Sequence, residues 1–387
     1  MKISLEIILV AFLPLLLLCC REEEEIISST TIEVTTEVTD TTSIKGFFLL
    51  NEGNMGSNKA TLDYYDYESG TYQRNIYAER NPTVAQELGD VGNDLQIYGN
   101  KLYAVINCSH FVEVMDVETV EHITQISIPN CRYIVFKDQY AYVSSYAGPV
   151  QIDPNARLGY VARVDTAALV VKDTCVVGYQ PEEMVIVDDK LYVANSGGYR
   201  VPDYDTTVSV IDLNTFTVIN TIDVAINLHR MEVDNYGKIY VSSRGDYYDT
   251  YSETFVIDSS TDEVIKELPL LPNTEMTICR DSLYVYSTEW SYYTNDYTVS
   301  YAIYNVKKEK VDTRSFITDG TDEDIQIPYG IAVNPETNEF FVTDAKDYVT
   351  PGTLYCFSQE GKKKWSVTTG DIPAHIAFTY KKLKDLE

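Results

Sequence analysis

Four histidines occur, His110, His122, His229 and His375, and none stands in an H-E-x-x-H or comparable metal-ligand spacing. There is no paired Cys-x-x-Cys and no G-x-S-x-G elbow, so neither thiol redox chemistry nor a serine nucleophile is signalled. A glycosidase needs two convergent carboxylates. Glu183 and Glu275 are available, but a chain with 59 acidic residues supplies such pairs by abundance alone. The acidic runs Asp319 to Asp324 and Asp246-Tyr247-Tyr248-Asp249 could offer oxygens to calcium, yet they lack the EF-hand spacing. The excess is in tyrosine, 32 against 12 Phe and 2 Trp, a side chain suited both to half-buried strands and to recognition surfaces. The chemistry expected is binding rather than turnover, with no resident cofactor.

Charge narrows the partners. Thirty basic against 59 acidic residues leave a formal net charge of -29, which repels phosphate backbones and excludes nucleic acid as an expected partner. The same charge serves solubility. A hydrophobic content of 44% is ample for a core and rules out global disorder.

A repeat must position these residues. One phrase recurs: Leu102-Tyr103-Ala104-Val105, Ala141-Tyr142-Val143-Ser144, Leu191-Tyr192-Val193-Ala194, Ile239-Tyr240-Val241-Ser242 and Leu283-Tyr284-Val285-Tyr286. Phe47-Phe48-Leu49-Leu50 and Phe340-Phe341-Val342-Thr343 complete seven copies, spaced by about 39 to 57 residues. A second phrase follows, as in Val208-Ser209-Val210-Ile211-Asp212-Leu213-Asn214-Thr215, whose alternation makes a strand and whose Asp-x-x-Thr end makes a hairpin turn. The period and the strand count predict an all-β, seven-bladed propeller of four-stranded blades over 44–387. The first unit lacks an inner strand, while Pro373-Ala374-His375-Ile376-Ala377-Phe378 matches the inner-strand phrase of other units. The C-terminal strand should therefore complete the first blade and remove two open edges.

Long connections gather on one predicted face and carry Tyr199, Tyr204, Tyr247, Tyr248, Tyr251, Trp290, Tyr292, Tyr293, Tyr297 and Tyr348. Exposed aromatics cost solubility unless they cover something, so these loops read as a ligand platform; the alternative is loops packing on one another. Alignment of the inner strands places Asp94, Tyr133, Glu183, Arg230, Glu275, Gly330 and His375 at the channel mouth on that face. Their preceding neighbours are Asn93, Arg132, Glu182, His229, Thr274, Tyr329 and Ala374, and such a ring either binds a ligand or merely solvates the channel. Cys108 and Cys131 fall on the same face of one blade junction and are expected to form a disulfide; Cys175, Cys279 and Cys356 are expected as buried thiols.

The N-terminus supplies an address. An apolar run from Ile7 to Leu18 is too short to span a bilayer and suits a signal-peptide core. Leu17-Leu18-Cys19-Cys20 resembles a bacterial lipobox, with Cys20 as the lipidated residue after a signal peptide of residues 1–19. The acidic run Arg21-Glu22-Glu23-Glu24-Glu25 resembles the export tag of Bacteroidetes surface lipoproteins, and residues 20–43 read as a lipidated, acidic and Thr-rich tether.

The repeated phrases resemble the YncE-like propellers over residues 44–381. Joined to a lipobox and an acidic tag, they are similar to the cobalamin-binding surface propellers that accompany TonB-dependent outer-membrane barrels. That resemblance implies an outer-membrane, surface-exposed lipoprotein, held to the membrane through its lipid, that captures cobalamin or a related corrinoid and passes it to the barrel. No motif here is specific for a corrinoid. A glycan- or protein-binding adaptor, or a propeller lactonase or lyase, would use the same scaffold. The residues expected to meet the ligand are Arg132, Glu183, Tyr199, Tyr204, Arg230, Tyr247, Tyr248, Trp290, Tyr292, Tyr293, Tyr297, Tyr329 and His375.

Overall fold

The computed structural model describes residues 29–36, 43–84, 87–268, 272–291 and 296–381. The expected signal peptide, Cys20 and most of the tether lie outside the described residues, as do Tyr292, Tyr293 and the side chain of Trp290. Among the described residues, no helix is long and apolar enough to cross a membrane.

Seven antiparallel sheets stand radially as a seven-bladed β-propeller. The inner strands of blades two to seven are Gly92–Tyr98, Cys131–Lys137, Pro181–Val187, Leu228–Val233, Glu275–Cys279 and Pro328–Val333. Each contacts the inner strand of the next blade, and Pro373–Tyr380 completes the circle between Pro328–Val333 and Gly92–Tyr98. Blade one is built on that last strand: Pro373–Tyr380 pairs with Ile44–Asn51, followed outward by Thr61–Asp66 and Thr71–Arg74. The expected closure is therefore present.

One strand was not expected. Thr30–Glu33, read in the sequence as tether, pairs antiparallel with Thr71–Arg74 and makes blade one five-stranded. All four of its residues are exposed, so it gains ladder hydrogen bonds but little burial. It covers an open edge.

The repeated aromatic phrase is the second strand of each blade. It is buried on both faces because a blade is sandwiched between two neighbours, which is why it reads as an unbroken apolar run rather than an alternation. Tyr103, Tyr192 and Tyr240 are fully buried there, so much of the tyrosine excess fills space between blades. The Asp-x-x-Thr turns form on the opposite face as read: Asp212 Oδ1 accepts the Thr215 N–H at 2.8 Å, and Asp116 Oδ1 accepts that of Thr119 at 3.0 Å.

The seam of the ring is aromatic. Phe47, fully buried, lies 4.8 Å from the Phe341 ring of blade seven, 5.1 Å from Tyr65 and 5.9 Å from Phe378 on the closing strand. Phe47→Ala should cost about 3–5 kcal/mol, the range for emptying a buried aromatic site. Denaturant unfolding measures this, and a loss below about 1 kcal/mol would mean the seam is not held by this packing.

Candidate functional site

Five inner strands slip register against their second strands at their first residues, and the closing strand does the same. In blades three, four, five and seven, two inner-strand residues stand opposite one: Arg132-Tyr133 opposite Ser144, Glu182-Glu183 opposite Ala194, His229-Arg230 opposite Ser242, and Tyr329-Gly330 opposite Thr343. These are β-bulges, which re-aim side chains at sheet ends. In three blades the opposing hydroxyl replaces the lost ladder partner. Tyr133 N donates to Ser144 Oγ at 3.1 Å, Arg230 N to Ser242 Oγ at 3.0 Å and Gly330 N to Thr343 Oγ1 at 2.7 Å. Ser144 and Thr343 then donate to the Glu182 and Pro373 carbonyls of the next blade, at 2.8 and 2.6 Å. Gly330 lacks a side chain for a local reason: a Cβ there would collide with the Ala374 carbonyl.

Predicted ring residues meet at the mouth in three separate clusters of ion pairs and hydrogen bonds. Arg132 Nε and Nη2 both donate to Glu182 Oε2 at 3.0 Å, and the other oxygen of Glu182 accepts Arg244 Nη1 at 3.2 Å and the Tyr146 hydroxyl. Beside it, Arg230 reaches Glu183 Oε1 at 3.2 Å and Glu275 Oε2 at 2.5 Å, and donates to the Tyr133 hydroxyl at 2.7 Å. Tyr133 is also 3.1 Å from His229 Nε2. Across the closure, His375 Nε2 lies 3.6 Å from Glu52 Oε1, and the Tyr329 hydroxyl donates to Glu52 Oε2 at 2.7 Å. Asp94 accepts the Leu95 and Ile134 amides at 2.7 and 2.9 Å and so ties blade two to blade three.

Burial and neighbours divide these groups. Burial raises Glu182, but Arg132 and Arg244 outweigh it and hold the carboxyl below its ordinary range. Glu183 is pushed up to about 7 by burial and the charge of Glu275, against the pull of Arg230. Burial and three arginines drive His229 well below its ordinary range, so it is neutral. His375 moves the other way: burial opposes the cation, yet Glu52 and Asp94 raise it.

The loop aromatics divide too. Tyr247, Tyr248 and Tyr251 are 62%, 75% and 71% exposed, and Tyr297 is also exposed. Asp246 Oδ1 accepts the amides of Tyr248, Asp249 and Thr250 at 2.8–2.9 Å, which ties this loop's backbone. Tyr199, Tyr204 and Tyr348 are half-buried; Tyr199 packs edge-on against Tyr146 and Tyr348 against Tyr329. The display and packing readings therefore hold for different residues.

A family model described as a domain of unknown function, DUF5074, matches residues 45–378. The chain belongs to this family. No curated protein matches it. Among solved structures, a quinonprotein alcohol dehydrogenase-like protein of Bacteroides thetaiotaomicron is similar at TM-score 0.57 and 16% identity, covering 86% of this chain and 78% of that one. Hydrazine synthase of Kuenenia stuttgartiensis is similar at 0.57 and 13%, covering 70% and 77%. Apo AztD of Citrobacter koseri is similar at 0.52 and 12%, covering 87% and 98%. At such identities these likenesses carry the propeller fold and no activity.

Three expectations are corrected or reduced. Cys108 and Cys131 are free thiols. Cys131 is buried and turns its Sγ to the Phe111 carbonyl at 3.3 Å, burial raising the thiol to about 12, while Cys108 turns to Asn107 Oδ1 at 3.4 Å. Sharing a face did not align the two sulfurs. Cys175 and Cys356 are buried thiols, whereas Cys279 is only half-buried. The candidate calcium carboxylates are engaged with backbone amides: Asp319 accepts Thr321 N at 3.1 Å and Lys363 N at 2.7 Å, and Asp246 accepts those of its own loop. Among the described residues, no group of three His, Cys, Asp or Glu is arranged to hold a metal.

The sequence reading missed Glu52, Tyr146 and Arg244. Each is the first residue after its blade's second strand, and each reaches the mouth. The signal that marks all three is their shared position, one residue past the aligned second strand.

Glu183 offers a test of the electrostatics. A carboxyl raised from 4.5 to about 7 binds its proton more tightly in the folded chain, so its contribution to stability is whole below pH 4.5 and is lost as pH climbs through 7. Stability relative to Glu183→Gln should fall across that window, by less than about 1.4 kcal/mol per pH unit because the side chain keeps 24% exposure. Unfolding curves from pH 4 to 9 measure it, and a relative gain with rising pH would contradict the assignment.

Proposed function

We propose that this chain is a surface-displayed binding propeller that captures a ligand at its loop-face mouth without transforming it. The observation that carries this reading is the loop following Arg244. Three tyrosines, each more than 60% exposed, stand on a backbone tied by Asp246, next to a mouth floored by buried ion pairs. Large exposed rings held in place cost solubility and contribute nothing to the core, but they bind flat or partly apolar ligands at low entropic cost. At the mouth, Glu182, Glu183 and Glu275 are each paired with arginine and His229 with Tyr133, so these side chains are held in place as a polar floor beneath the loop.

The ligand class favoured by the sequence resemblance is a corrinoid, delivered to a TonB-dependent outer-membrane barrel from a lipid-anchored position. A cluster of exposed tyrosines beside hydrogen-bonding groups suits a macrocycle with amide arms. Titration of the full chain in detergent with cyanocobalamin, followed by calorimetry, tests this directly. Saturable binding at micromolar ligand or below is expected, and Tyr247→Ala and Tyr248→Ala should each weaken it by about tenfold while leaving the unfolding midpoint nearly unchanged. Absence of cobalamin binding with saturable binding of an oligosaccharide would replace the corrinoid by a glycan.

A further inference from the structure

Beneath the exposed tyrosines, two arginines share a single carboxylate. Arg132 grips one oxygen of Glu182 through two nitrogens at 3.0 Å, and Arg244 reaches the other at 3.2 Å. Among the described residues, Glu182 is the carboxylate with which either arginine is paired. Two guanidinium ions against one carboxylate leave one positive charge over. The geometry also sets which part faces outward: the Glu182 side chain is 1% exposed, against 13% for Arg132 and 25% for Arg244. Stability does not account for such a triad, because replacing a buried Arg–Glu–Arg set by apolar side chains is often neutral or stabilising. It stands, moreover, in a chain of net charge -29.

Tyr133 and His229 stand beside the triad. Arginine only donates, so the Tyr133 oxygen accepts from Arg230 Nη1 at 2.7 Å. Tyr133 also lies 3.1 Å from His229 Nε2, and His229, among three arginines, is held neutral.

We propose that Arg244 and Arg132, seated on Glu182, form a subsite for one anionic group of the captured molecule, a phosphate ester or a carboxylate. Guanidinium recognises both through paired N–H bonds. This rests on the ligand-capture reading of the same mouth and adds to it an orientation. With the net charge at -29 the surplus charge of the triad favours an anion, so the anionic end goes down onto the triad and the apolar body meets the tyrosines. Arg244 is the member free to adjust, since its single bond to Glu182 can be given up while Arg132 and Tyr146 still satisfy the carboxylate.

The test compares the full wild-type chain with Arg244→Gln and Arg244→Lys. The first arm is thermal unfolding in phosphate, acetate and chloride at matched ionic strength. Phosphate or acetate should raise the wild-type midpoint above chloride, Arg244→Lys should keep most of the increment and Arg244→Gln should lose it; the more effective anion names the group. The midpoints in chloride should agree, because Glu182 keeps two partners. No increment over chloride, or one equal in Arg244→Gln, overturns the subsite. The second arm measures binding of cobalamin, which carries a phosphodiester, and cobinamide, which keeps the corrin ring without it. Arg244→Gln should weaken cobalamin by about tenfold and cobinamide by less than about twofold. Equal losses for the two also overturn the subsite. Failure of both corrinoids to bind the wild-type chain, with an Arg244-dependent anion increment intact, removes the corrinoid and leaves the subsite standing.

Discussion

The whole arrangement depends on one pairing, the closing strand Pro373–Tyr380 laid antiparallel on Ile44–Asn51. Without it blade one has no inner strand and the ring ends in two open edges, each a row of unpaired amides and carbonyls. The pairing also completes the mouth. It sets His375, near the C-terminus, 3.6 Å from Glu52 on the first blade, so the same event that shuts the ring assembles part of the candidate site. Aromatic packing of Phe47 with Phe341 and Phe378 makes that seam a core rather than a mere ladder.

Around the closed ring, the bulges do the positioning. A regular inner strand would send adjacent side chains to opposite faces of the blade. Doubling two residues against one breaks that alternation, and a Ser or Thr hydroxyl takes up the freed amide. The cost is local ladder regularity in five blades and the closing strand. What results is a mouth in which acids and bases from different blades meet, with Glu182 held ionised and Glu183 pushed toward neutrality a single residue away.

The architecture was largely legible in the sequence, because a second strand buried on both faces leaves an unmistakable aromatic and aliphatic phrase at each turn of the repeat. The inner-strand alignment was legible for the same reason, and it put Arg132, Glu183, Arg230 and His375 at one mouth. Other features were hidden by physics that composition does not record. Thr30–Glu33 is polar and exposed, and only the open edge of Thr71–Arg74 gives it a partner. Loop tyrosines that face solvent and loop tyrosines that pack are the same letter; Tyr248 is 75% exposed while Tyr348 packs on Tyr329, though both sit in long connections. Cys108 and Cys131 share a junction, but thiol direction follows backbone detail that spacing does not reveal. Arg244 was missed because it opens a variable loop, outside the phrase that made the repeat visible.

On the proposed reading, the long connections and the bulged strand starts act as one binding face. Hydrogen exchange of the full chain, with and without saturating cobalamin, tests it most directly. Protection is expected in 146–159, 196–206 and 244–252 and at the inner-strand starts near Arg132, Glu182 and Arg230, with the Asp116 and Asp212 turns of the opposite face unchanged. Protection confined to those opposite turns, or spread evenly over both faces, would contradict a single working mouth.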